Sequence, residues 1–447
     1  MTKISLLKQT DSKIYQAIED EKKRQFEGLE MIPSENYVSE AVLEAMGSIL
    51  TNKYSEGFPG HRYYGGNKHI DVIENEARDR AKALFGVPYV NVQPYSGSPA
   101  NFAVYNAILA PGDVVSGMNL LDGGHLTHGW KVSATAKYFE SHPYHVKKDG
   151  HVDFEELAKL AKEFKPKLIW CGATAYSRQI EFAKFAEIAD SVGAYLVADI
   201  AHVAGLIAGG VHPSPVPYAH IITTTTHKTL RGPRGAMIMV TEKGLAKDPE
   251  LAQKIDRSIF PGLQGGPHNH TTAGIAVALK EASSPEFKKY AAQIVKNTKA
   301  LEKEFTAAGI HMVSGGSDNH LLLLDLSEYG ALGSQLEYAL DVAHITANKN
   351  TIPEEPNSPY YPSGLRLGTP ALTTRGFREK DMAQVAAWIV QVINHIKGDR
   401  LPSSKDGRLE FLKNFRKKAD HDTVLLKIGA EIKAYTANFP IPGIKLT

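Results

Sequence analysis

Lys228 closes a run of threonines in "TTTTHKTLRGPRG", Thr223 to Gly235. Threonine is branched at Cβ and stiff at χ1, so the run favours a strand. The break at Gly232-Pro233 leaves the lysine at the edge of a sheet. An amine in that position is either solvated or held ready to attack a carbonyl carbon. Three other stretches bear on the choice. In "YSGSPAN", Ser96, Gly97 and Ser98 sit between a strand and a helix. Free N–H groups at a helix start bind phosphate, glycine permits close approach, and hydroxyls add donors. The plainer reading is an ordinary N-cap. The stretch is no Walker loop, because GxxxxGK[ST] does not occur in it.

In "VADIAH", Asp199 ends an apolar strand and His202 follows. A carboxylate there is costly unless paired. It belongs either to a structural ion pair or to a ligand, since strand ends are where open α/β sheets bind ligands. In "GGHLTHG", paired glycines precede His125. They either let an imidazole lie flat against a ligand or form a turn with a surface histidine. Phosphate cradle, strand-end carboxylate, ring-sized histidine and strand-end lysine together suggest pyridoxal phosphate. The lysine would hold the aldehyde as a Schiff base, and the aspartate would keep the pyridine nitrogen protonated.

Elements that position such residues are legible along the chain. It has 447 residues, which is long for one core, so more than one domain is expected. Net charge is +2, which points to neither nucleic acid nor an anionic membrane as a partner. Cys171 is the single cysteine, so no intrachain disulfide forms and no Cys-rich metal site is expected; no metal is implied. A reducing cytoplasm fits. The N-terminal stretch lacks the apolar core of a signal peptide. The longest apolar stretch, from Val192, is interrupted by Asp199 and His202 and reads as a buried parallel strand, not a membrane span.

An opening helix is expected after Asp11, its cap, with a break at Pro33. The text from about Asn52 to Gly66, "NKYSEGFPGHRYYGG", is not periodic and is either a surface connection or a site. "HIDVIENEARDRAKALFG" is an amphipathic helix closed by Gly86. Strand-like and helix-like runs then alternate, which predicts an α/β layer with a largely parallel sheet and one antiparallel strand near "GAMIMVT". From about Ser284 a smaller α+β domain is expected, with a strand at "HLLLLDL" and a helix from about Leu332. The divisions are 1–51, an N-terminal helical arm; 52–283, the large α/β domain; and 284–447, the small domain with a helical tail.

These residues identify a family. The lysine stretch resembles the lysine signature of serine hydroxymethyltransferases. Further family-like blocks are "MIPSENYVS", "NKYSEGFPGHRYYGG", "NVQPYSGSPAN", "DGGHLTHG", "DIAHVAGLIAGG", "PGLQGGPHNH", "NKNTIP" and "SGLRLGTPALTTRG", in the family's order from about residue 25 to about residue 380. The resemblance implies a fold type I pyridoxal phosphate transferase of the aspartate-aminotransferase-like kind: a large domain with a mostly parallel mixed sheet, and a smaller C-terminal α+β domain. It also implies an obligate homodimer with sites shared at the interface.

By position, the resemblance makes Lys228 the Schiff-base lysine and Asp199 the partner of the pyridinium nitrogen. His125 becomes the histidine stacked on the ring, and His202 the one near its phenolic oxygen. Ser96, Gly97 and Ser98 match the phosphate loop, Thr225 lies beside the cofactor, and Gly262 is lent to the phosphate by the other subunit. Arg366 matches the arginine that binds the amino-acid carboxylate, which suits a guanidinium fork. Ser34 and Tyr64 match further substrate contacts. Tyr54 and Glu56 match residues reaching in from the partner subunit, and Glu56 is the candidate for proton handling. Tyr63, Leu120, Gly124, His125, Leu126 and Asn350 match the folate pocket, as do Ser358, Pro359 and Tyr360 more loosely.

The family often has histidine where Tyr95 stands and lysine where His61 stands, and "MIPSEN" replaces the commoner "LIASEN". These positions flank the matched functional residues and replace none. The expected reaction converts serine and tetrahydrofolate to glycine and methylenetetrahydrofolate. The alternative is a folate-independent, threonine-type aldolase of the same fold, which would need no counterpart of Leu120, Leu126 and Asn350.

Overall fold

The computed structural model describes residues 5–444 apart from 331 and 403. Its centre is a sheet of seven strands: β1 (Tyr89–Asn91), β2 (Val114–Ser116), β3 (Glu140–Ser141), β4 (Leu168–Cys171), β5 (Tyr195–Asp199), β6 (Ile221–Thr225) and β7 (Ala236–Val240). Their spatial order is β1-β7-β6-β5-β4-β2-β3. Only β7 runs antiparallel to its neighbours, as expected for "GAMIMVT".

Successive strand side chains point to opposite faces. Ile169, Cys171, Leu196, Ala198, Ile222 and Met237 therefore join one buried cluster. Leu168, Trp170, Val197, Ile221 and Ile238 join another on the opposite face. With both faces covered, the strands read as unbroken apolar runs, which explains the stretch from Val192. Among the described residues no helix is long and apolar enough to cross a membrane.

The second unit has three antiparallel strands, β8 (Leu321–Asp325), β9 (Asn348–Asn350) and β10 (Gly364–Gly368), in the order β8-β10-β9. The helix Gly333–Val342 starts where the sequence places it. A third apolar cluster fills this unit and takes in Leu29 and Met31. The N-terminal segment thus docks here, with Leu29 paired to Ile345.

Asp11 caps the helix Ser12–Glu27, accepting from the N–H groups of Lys13 and Ile14. Gly86 ends the helix Lys68–Phe85 at φ 70°, a left-handed conformation that glycine adopts without a Cβ penalty. The aperiodic stretch from Asn52 contains a short hairpin, Gly57–Phe58 with His61–Arg62. Buried Arg62 fixes it through Asp71 (2.9 Å), Glu74 (2.7 Å) and the carbonyls of Ser55 and Gly57.

Candidate active site

The C-terminal ends of the parallel strands β4, β5 and β6 open on one cavity. Gly97, His125, Asp199, His202, Thr225 and Lys228 all line it. The residues singled out on motif grounds therefore converge, although more than a hundred positions separate Gly97 from Lys228.

Asp199 Oδ2 accepts from Asn101 Nδ2 at 2.9 Å and lies 3.2 Å from His128 Nε2, while Oδ1 accepts from the Ala201 N–H at 3.0 Å. Burial alone would push its carboxyl up, but the contacts with His128, His125 and Asn101 hold it well below the usual range. Asp199 is thus an anion in a closed place. His128 stacks on Trp170 at 4.8 Å, which fixes its ring.

Asn101 also donates to Thr127 Oγ1 at 2.8 Å, and that hydroxyl lies 2.7 Å from His125 Nδ1. Nδ1 accepts from the Thr127 N–H as well, at 3.3 Å, so His125 carries its proton on Nε2. Burial, then nearby His128, lowers its pKa to about 4 and keeps the ring neutral.

Burial lowers the Lys228 amine to about 8, Asp199 opposes the shift, and Arg366 and Arg234 add to it. At neutral pH a useful fraction is free base, the form that attacks a carbonyl. Above the cavity starts the helix Gly97–Ile108. Ser96, at its N-cap, makes no side-chain cap bond, so the first N–H groups and the hydroxyls of Ser96 and Ser98 remain open to an anion. A Cβ on Gly97 would stand 2.8 Å from Thr225 Cγ2, so only glycine lets the helix start this close to β6.

Arg366 in β10 is buried, donating from Nη1 to the Thr174 carbonyl (2.6 Å) and from Nε to Asn348 Oδ1 (3.1 Å). Burial lowers its pKa to about 10, so it remains a cation. No acidic side chain pairs with it among the described residues. A buried guanidinium in that condition suits an incoming carboxylate. Ser34 is close by, because Pro33 packs on Gly368 and the Gly368 N–H donates to Met31 O.

Buried atoms left without partners point the same way: His202 Nε2, Thr223 Oγ1 and Thr225 Oγ1 all belong to residues lining the cavity. An anion for the pyridine nitrogen, an amine for the aldehyde, a helix start for the phosphate and unpaired polar atoms around them fit pyridoxal phosphate.

Other expected residues lie apart. Tyr54, Glu56, Tyr63 and Tyr64 are not among the residues lining the cavity. Tyr63 packs edge-on against Phe260, and Gly265 and Gly266 lie against Glu56 and Tyr54. Gly262 belongs to this same stretch. Leu120 and Asn350 adjoin, because Thr351 Oγ1 donates to the Leu121 carbonyl at 2.7 Å. Gly124 leaves no room for a side chain, since a Cβ would meet Met118 O at 2.0 Å. Leu126 lines a neighbouring cleft with Ser98. Ser358 is half-buried and Pro359 exposed, while exposed Tyr360 borders a separate groove with Lys349 and Arg416. Asn101, His128, Thr174 and Asn348 are site residues to which the motifs assigned no role. Asn101 follows Gly97 by one helical turn, and that spacing is the signal available for it.

A model of the serine hydroxymethyltransferase family matches residues 7–389. The chain belongs to that family. It is 54% identical over 443 residues to a serine hydroxymethyltransferase of Acidothermus cellulolyticus, covering 99% of this chain and 98% of the relative. It is 50% identical over 441 residues to one of Sorangium cellulosum, covering 98% and 97%. Membership carries the fold type I architecture, pyridoxal 5′-phosphate as cofactor and tetrahydrofolate as co-substrate. The enzyme moves the hydroxymethyl carbon of serine reversibly to tetrahydrofolate, giving glycine. Nothing in these relationships favours the folate-independent aldolase.

Proposed function

We propose that the cavity at the ends of β4, β5 and β6 is where this transfer takes place, with roles divided as follows. Lys228 holds the cofactor aldehyde, and Asp199, oriented by Asn101 and His128, faces the pyridine nitrogen. Ser96, Gly97 and Ser98 receive the phosphate, His125 stacks on the ring, and His202 and Thr225 flank it. When bound, the cofactor supplies a protonated ring that takes up the electron pair released as the serine Cα–Cβ bond breaks. Arg366 fixes the serine carboxylate with its unpaired guanidinium face, and Ser34 and Tyr64 add contacts. Leu120, Gly124, His125, Leu126, Asn350 and Tyr63 line the folate side, with Ser358, Pro359 and Tyr360 towards its rim. Glu56 holds or moves the proton at the serine hydroxyl or at folate.

One observation carries this reading: a buried arginine without an acidic partner among the described residues lies beside a cavity that already joins Asp199, Lys228 and a helix start. Glycine formation from serine with and without tetrahydrofolate, in wild type and in variants of these residues, tests it. Wild-type rates in variants of Lys228 and Arg366 would sink it.

The enzyme works as an obligate homodimer in the cytoplasm. The support is positional: Tyr54, Glu56, Tyr63 and Tyr64 gather around the loop of Gly262, outside their own chain's cavity. Such a group is placed to complete a second copy's site. We also infer domains at 1–51, 52–283 and 284–447, supported by two apolar clusters centred on the latter two, with Phe287, Ala291 and Ile294 of the third segment packing into the cluster of the second.

A further inference from the structure

His202 closes one wall of the cavity, and behind it lies a second buried histidine that does not touch the cavity. His202 Nδ1 and His320 Nε2 are 3.2 Å apart, with both rings buried. Both backbones are anchored. Thr229 Oγ1 donates to the His202 carbonyl at 2.9 Å, and the Thr369 N–H donates to that of His320 at 3.1 Å. Asn319, beside His320, donates to the carbonyls of Tyr176 (3.0 Å) and Arg178 (3.2 Å) and stitches the two units together. The outer nitrogens, His202 Nε2 and His320 Nδ1, have no partner among the described residues.

A contact between two neutral rings holds one proton. Either way one outer nitrogen keeps an unpaired N–H and the other a bare lone pair, so the two arrangements differ in where the N–H falls. If His202 donates, it falls on His320 Nδ1, behind the cavity; if His320 donates, it falls on His202 Nε2, on the ring that lines the cavity and can meet a ligand there, which is the cheaper placement. The charged or titratable groups facing the pair are Lys228, Arg366, His125 and His212. Burial, followed by these cations, lowers both histidines, His320 to about 3, so the pair is neutral.

We infer that His320 is a positioning residue: it donates Nε2–H to His202 Nδ1 and so fixes His202 in the tautomer that presents an Nε2–H donor to the cavity. The consequence for the reaction rests on the cavity being the cofactor site, where the anionic ring oxygen needs a donor and a bare nitrogen would repel it.

Selective ¹⁵N-histidine labelling of the cofactor-free protein reads the tautomer directly, with His202 assigned by its loss in His202→Asn. The expected spectrum has Nε2 protonated and Nδ1 bare. An Nδ1–H tautomer overturns the inference whatever the variants do. In His320→Leu the preference should be lost. The pH midpoint of the bound cofactor's visible absorbance should move, and kcat should drop roughly three- to tenfold with serine KM unchanged. His320→Gln, which can place an amide N–H near Nε2, should restore both. If His320→Leu folds and matches wild type in tautomer and midpoint, His320 has no such role. Should neither variant fold, the wild-type spectrum decides alone. Failure of the cofactor reading is seen separately, as absence of a Lys228-linked cofactor, and leaves the cofactor-free spectrum to judge His320.

Discussion

Replacing Gly97 with alanine tests the phosphate cradle through a single methyl group. A Cβ at this position would lie 2.8 Å from Thr225 Cγ2, where unstrained contacts begin at about 3.4 Å. The helix start or the threonine must therefore give by about 0.6 Å, the difference of those two distances. Neither moves freely. Thr225 is buried in β6, paired with Ala236 of β7, and the helix Gly97–Ile108 is anchored by buried Ala100, Ala103 and Val104. Overpacking of this kind costs about 1–3 kcal/mol. Most of it should fall on the cofactor, because the displaced N–H groups are those that face its phosphate. At about 1.4 kcal/mol per decade, the cofactor dissociation constant should rise roughly 5- to 150-fold. The assay is titration of cofactor-free protein with pyridoxal phosphate, followed by absorbance or quenching of intrinsic fluorescence. Thr225→Ser keeps Oγ1 and deletes the methyl that is struck, so the double variant should recover most of the lost affinity. Wild-type affinity in Gly97→Ala refutes the cradle. An additive double variant refutes the steric cause.

Borohydride reduction and peptide mass mapping should find the pyridoxyl group on Lys228, and Lys228→Ala should lose both adduct and nearly all turnover. An adduct on another lysine would end the assignment. The folded pKa of Lys228, about 8, lies below its unfolded value of about 10.4, so the unfolded chain binds more protons between them. Lys228 should therefore add stability to the cofactor-free form as pH rises from about 8 to about 10, and a urea series against Lys228→Met should show that slope vanish. Arg366→Ala should weaken serine binding by about 2–5 kcal/mol while cofactor affinity holds, and an unchanged serine KM would remove Arg366 from the carboxylate role. Glu56→Gln mixed with Lys228→Ala should regain activity on subunit exchange, because one site of each mixed dimer carries neither lesion. No recovery in verified heterodimers would place Glu56 in its own chain's site.

The strand-end groups were legible because each sits where a run of strand-forming residues stops. Asp199 ends β5, Lys228 follows β6, and the helix from Gly97 opens after β1. Their convergence follows from parallel strands delivering their C-terminal ends to one edge. Residues that orient them were not legible. His128 reaches Asp199 across 71 positions and His320 reaches His202 across 118, and neither spacing leaves a mark on local periodicity. The stretch around Glu56 could not be read as structure either. Its hairpin has two-residue strands, too short to alternate, and it is held by Arg62 bonding Asp71 and Glu74 on the next helix. The docking of Leu29 and Met31 onto the small unit escaped notice for a similar reason: two buried residues carry no pattern.

The site is assembled at a cost to the empty protein. Lys228 and Arg366 are buried cations: burial lowers the proton affinity of both, Arg366 lowers that of Lys228 further, and Asp199 opposes the shift on Lys228. His202, Thr223 and Thr225 keep polar atoms unpaired in the same wall. Each such group forgoes hydration without a protein partner in return. With the roles proposed above, cofactor and substrate would bring what is missing: a phosphate for the helix start, an aldehyde for the amine, a ring oxygen for His202 and a carboxylate for Arg366. Binding is therefore paired with relief of strain in the fold. The residues proposed to complete the chemistry, Tyr54, Glu56, Tyr63 and Tyr64, flank a hairpin pinned by a buried ion pair. In the proposed dimer, a mount of that kind would deliver the side chains to a second copy's cavity at a fixed distance.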